Sequence, residues 1–194
     1  MRDKDKLLFS NRFTFEEIDV NDKDRLLEAY EDRIDSYWLK PAKVLSNSKC
    51  GFACGVLCVS IMECLARTQY AKFNKRRQQW EIDKKGFVDW IQKYFEDESV
   101  KKWAGRIYED YRCGLVHEGR IKNLGQFSYY LSVVIELIDN IMLINPDNLY
   151  EELKKAFKNY LSTIRIDELK FLEFKRMFEI DFKEEIEKVK QMPN

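Results

Sequence analysis

His117 is the one histidine among 194 residues, and it follows Arg112 by five positions in the segment Tyr111-Arg112-Cys113-Gly114-Leu115-Val116-His117-Glu118-Gly119. An imidazole is the side chain whose ordinary titration lies near neutrality, and a guanidinium is a permanent cation whose planar donors match phosphate oxygens. The pair therefore points to phosphodiester chemistry. On an ideal helix a five-residue offset leaves two side chains about 140° apart, which is not one face. Either Gly114 and Gly119 loosen or end the helix, or a second copy of the segment comes close. The same residues also allow a plain structural role: Arg112 paired with Glu109 three residues earlier, and His117 at a core edge on the side of Trp103.

Other side chains could serve the same chemistry. Lys75, Arg76 and Arg77, with Lys72 and Trp80 nearby, form a basic run able to follow a phosphate backbone and stack a base, and Arg120 adds a cation just past the motif. Glu63 is the single acid in an apolar helix, able to back Arg112 and equally to cap a core polar network or reach the surface at the helix edge, and Cys113 sits between the two motif residues. Cys50, Cys54 and Cys58 recur every four residues, but a single helix face offers a metal no tetrahedral closure, and they read as small buried hydrophobes. No Gly-rich phosphate loop, Ser/His/Asp set or histidine pair is present, so neither a metal nor a cofactor is expected.

These residues need elements to position them. Three prolines and seven glycines are too few for a sandwich or barrel, and 45% apolar with 35% charged residues describes a folded domain with a charged surface. Lys and Arg number 34, as do Asp and Glu, which excludes a polybasic wrapper of nucleic acid. Residues 1–20 read as an extended arm, 21–166 as a helical domain, and 167–194 as a helical extension of that domain. Asn21 is expected to cap the first helix, which runs until Pro41. A second, apolar helix over 48–73 reads as the buried centre of a bundle, its apolar-rich stretch Cys50 to Met62, interrupted by Gly51, Gly55 and Ser60, being short of the roughly 18 to 20 residues of a membrane span. Residues 74–85 read as a long polar connection, and Ser99 as the cap of the motif helix. The segment 129–144 carries both a helical polar stripe and β-branched runs. We favour a β-hairpin turning at Asp139-Asn140, with helix restarting at Asn145-Pro146. Only Leu7-Leu8-Phe9 follow the charged start, which leaves no secretion signal, and five cysteines suit reduced thiols; a cytoplasmic protein without a membrane partner is expected.

Amphipathic helices with Arg-x-x-x-x-His near the end of one of them resemble the HEPN superfamily (higher eukaryotes and prokaryotes nucleotide-binding domain). The likeness covers roughly residues 22–165. It implies an all-α bundle of HEPN type and a metal-independent endoribonuclease of toxin or abortive-infection type. RNA would be the substrate, Arg112 and His117 the composite catalytic site, a homodimer the working form and an antitoxin protein the regulating partner. The family's polar residue after the arginine, commonly Asn or Asp, is Cys113 here. That departure keeps a non-catalytic binding or dimerisation module as the alternative.

Overall fold

The computed structural model describes residues 2–3 and 6–191, and the chain is predominantly helical with three small sheets among them. In order come β1 (Arg2–Asp3), β2 (Lys6–Leu7), α1 (Lys23–Ile34), α2 (Lys40–Asn47), α3 (Gly51–Tyr70), β3 (Lys72–Asn74) and β4 (Gln79–Glu81). Then follow α4 (Lys84–Tyr94), α5 (Glu98–Arg106), β5 (Gln126–Phe127), β6 (Ile135–Ile138), β7 (Ile141–Ile144), α6 (Pro146–Ile166), α7 (Glu168–Asp181) and α8 (Lys183–Lys190). Packing divides the chain into two compact units. One comprises the residues up to Trp38 and those from Leu161 onward; the other is Leu39–Tyr160.

In the first unit the N-terminal residues read as an arm hold the β1–β2 pair and a single 3₁₀ turn at Phe15–Glu17. Phe9, Phe13 and Phe15 are buried, and Phe9 packs with Phe178 and Phe182 at ring separations of 5.5 and 5.4 Å. Helix α1 is capped by Asp22, whose carboxylate accepts the Arg25 N–H at 3.1 Å, one residue later than the expected Asn21.

Pro41 does not stop the helix that precedes it. Residues Asp35–Leu39 form a π turn leading straight into α2, and Pro41 stands in the first turn of α2. There its missing N–H costs least, and the wider turn before it relieves the ring's clash with the carbonyl four residues back.

The second unit is built around α3, against which α2, α4 and the segment following α5 pack. Cys58, Ile61, Met62 and Leu65 are fully buried along it. It has 20 residues and, by length and composition, could cross a membrane, so the expected shortfall does not hold; half of its most apolar window is buried inside the structure.

The expected polar connection at 74–85 is instead the β3–β4 hairpin, where Phe73 faces Trp80 across the ribbon at a ring separation of 5.7 Å. Asp83 caps α4, accepting the Gly86 N–H at 2.8 Å. Asp97, not Ser99, caps α5, accepting from Val100 at 3.0 Å. The hairpin expected near 129–144 is present as β6–β7, narrower than that span, with Asp139 and Asn140 at φ 49° and 65° in its turn. Positive φ at both positions matches the twist of a two-residue hairpin. β5 adds a parallel partner to β7. Asn145 then caps α6, accepting from the Asp147 N–H at 2.9 Å.

Candidate functional site

Helix α5 does not end at Arg106. It widens into two π turns, Ile107–Arg112 and Gly114–Glu118, whose closing bonds run five residues back: Cys113 N–H to the Tyr108 carbonyl, and Gly119 N–H to the Gly114 carbonyl. In such a turn each residue advances by a smaller angle, so residues i and i+5 come closer round the axis than the about 140° that separates them in an α-helix. Arg112 and His117 are therefore adjacent within one chain, with Nη1 of Arg112 at 2.6 Å from Nε2 of His117. A guanidinium can only donate, so Nε2 accepts and the ring proton belongs on Nδ1. His117 is exposed.

Glu63 grips the other edge of the guanidinium. Arg112 Nε donates to Oε2 at 2.7 Å and Nη2 donates to Oε1, with the Arg112 and Glu63 side chains only 14% and 22% exposed. Burial works against the charge on Arg112, but the hydrogen bonds and charge of Glu63 more than reverse it and raise its proton affinity above the ordinary value. Nη1 also reaches Cys113 Sγ at 3.9 Å. The two edges thus have separate tasks, one held by a carboxylate and one turned to the imidazole and to solvent.

Tyr108 is the residue that sequence reasoning missed. Its ring lies beneath the guanidinium, 5.6 Å from centroid to Cζ, and packs on Phe87 at 5.3 Å. Burial raises its phenol above the usual range, with the Arg112 charge acting the other way. The available signal was its place four residues before Arg112.

The segment is braced from within. Buried Asp110 accepts from Arg106 Nε at 2.9 Å and from Asn123 Nδ2 at 2.7 Å, while its carbonyl takes the Lys122 N–H at 2.9 Å. Tyr111 is fully buried, its hydroxyl donating to the Met142 carbonyl at 2.6 Å, and burial pushes that phenol far up. At the end, Gly119 adopts φ +66°, which terminates the helix.

Glu118 gathers Arg120 at 2.7 Å and Lys122 at 2.6 Å, so Arg120 stands beside the motif in an ion cluster. Lys75, Arg76 and Arg77 lie in the turn of the β3–β4 hairpin, with Arg77 held by Glu81 at 3.1 Å. The structure brings together Arg112, His117, Glu63 and Cys113; the hairpin cations occupy a separate element. Cys54 and Cys58 are buried with their sulfurs 4.0 Å apart, whereas Cys50 is exposed. Among the described residues no three of His, Cys, Asp or Glu gather to hold a metal ion. Comparison of the chain with family models, with curated proteins and with solved structures finds no match.

Proposed function

We propose that this chain is a HEPN-type endoribonuclease of the toxin or abortive-infection kind, acting through Arg112 and His117 without need of a metal. The observation that carries the reading is an exposed imidazole 2.6 Å from an arginine whose other edge is locked by a carboxylate. A phosphodiester seated on the Nη1 edge would take the arginine's donors while His117 Nε2 faces the neighbouring ribose. Nε2 removes the 2′-hydroxyl proton and the oxygen attacks phosphorus. The bond to the 5′-oxygen then breaks, leaving a 2′,3′-cyclic phosphate and a 5′-hydroxyl. Arg112 stabilises the charge that gathers on the phosphoryl oxygens. The departing 5′-oxygen needs a proton of its own, and one chain has one imidazole, so a homodimer supplying a second belongs to the proposal. An antitoxin protein would be the regulating partner, and the cytoplasm the place of action.

Incubation with a mixed-sequence RNA and its all-deoxy copy, with and without EDTA, tests the mechanism. RNA cleavage that survives EDTA, spares DNA and leaves a cyclic phosphate is expected; metal-dependent cutting or equal cutting of DNA overturns it. Cys113 in place of the family's polar residue favours the second reading, a HEPN-like binding module. Binding of RNA or of a nucleotide without any cleavage would assign that function.

A further inference from the structure

The β3–β4 hairpin carries a basic tip and an aromatic pair, exposed Phe73 beside half-buried Trp80. Residues 72–81 carry Lys72, Lys75, Arg76 and Arg77 against Glu81 alone, in a chain whose charges balance overall. Two of these cations are occupied, Lys72 by Asp83 and Arg77 by Glu81. Lys75 and Arg76 are exposed, and among the described residues their side chains have no partner.

The tip is also closed by its own hydrogen bonds. Asn74 Oδ1 accepts the N–H groups of Arg76 and Arg77 at 3.0 and 3.2 Å, and Gln78 Nε2 closes onto the Lys75 carbonyl at 2.7 Å. Because Phe73 and Trp80 are register partners, their rings share one face of the ribbon, and Phe73 is 45% exposed. An exposed ring beside unpaired cations is the arrangement that stacks an unpaired base while its phosphates meet the charges.

The hairpin is tied to the helix that supports the site. On α3, Arg67 donates to the Trp80 carbonyl and Glu63, one turn earlier on the same face, holds Arg112. Lys84, at the start of the helix that follows the hairpin, pairs with Glu109 in the first π turn at 2.5 Å.

We propose that this hairpin grips single-stranded RNA, Phe73 stacking a base and Lys75 and Arg76 taking phosphates, so that the strand is led toward Arg112 and His117. The inference deepens the ribonuclease reading and rests on it for the choice of RNA, but the measurement reads binding alone. Anisotropy of a labelled mixed-sequence RNA is followed with the full chain carrying His117→Ala, which prevents cleavage and leaves the hairpin intact. Phe73→Ala in that background should weaken the single strand about tenfold. Lys75→Gln with Arg76→Gln should make the slope of log affinity against log salt shallower by about 1.4, two phosphates at about 0.7 each. A duplex of the same sequence should bind more weakly, its bases being already stacked. Equal binding by Phe73→Ala, preference for the duplex, or retention on anionic lipid vesicles with none on RNA would each overturn the proposal. Tight, hairpin-dependent binding in a wild-type chain that never cuts RNA would sustain it while removing the catalytic reading.

Discussion

Arg112 is held from two directions of unequal strength. On one side is a bidentate, charge-assisted contact to Glu63 in a largely buried setting; on the other is a single hydrogen bond to an exposed imidazole. The first is expected to serve stability and the second, on the proposed reading, reactivity. Glu63→Gln leaves a half-buried guanidinium without its counter-charge and should cost about 2 kcal/mol, below the figure for a fully buried pair because both groups keep some solvent. For a chain of this size that is a fall in Tm of roughly 4–8 °C. His117→Ala should change stability by no more than about 0.5 kcal/mol, since only a surface contact is lost, yet lower RNA cleavage by about 10²-fold or more. Thermal unfolding and cleavage assays of the two variants separate these effects. An unfolded His117→Ala protein would place the histidine in the core after all.

At the scale of elements, the two π turns decide how Arg112 meets His117. Gly114 opens the second of them in a space with no room for a side chain, since an added Cβ would stand 2.3 Å from the Arg120 carbonyl oxygen. That neighbour is backbone and cannot rotate away. Gly119 has open space around it, but its φ of +66° is a conformation that L side chains rarely adopt. The two glycines should therefore fail for different reasons. Gly114→Ala is expected to cost roughly 1–3 kcal/mol through overpacking and Gly119→Ala about 1 kcal/mol through backbone strain, both measurable by urea unfolding. Both glycines were visible as points where the motif helix loosens or ends. Their outcome, an i+5 hydrogen-bond pattern, was not, because helical periodicity in a sequence is read at 3.6 residues per turn.

At the scale of the whole molecule, the candidate site and the basic hairpin both belong to the unit Leu39–Tyr160. With Arg112 and His117 already adjacent in one chain, geometry no longer requires a second copy. The proposed dimer rests on the second proton transfer instead. Light scattering at micromolar concentration should give close to twice the 23.4 kDa chain mass. A strict monomer that still cleaves RNA would confine the reaction to a single imidazole.

Sequence by itself determined much of this protein. The predominance of helix followed from few prolines and glycines, the Asp139-Asn140 turn from residues that tolerate positive φ, and the restart at Asn145-Pro146 from the chemistry of a helix N-terminus. Arg112, His117 and Glu63 were singled out by type and surroundings alone. Short-range signals sufficed there because each depends on a few neighbouring residues. Tertiary structure decided the rest: Asp97 rather than Ser99 as a cap, a hairpin where only polarity was legible at 74–85, and Tyr108 beneath the guanidinium. It also decided how Arg112 meets His117, since a wide helical turn survives only where packing on α3 and the Glu63 carboxylate hold it. No local pattern encodes a contact made across 49 residues.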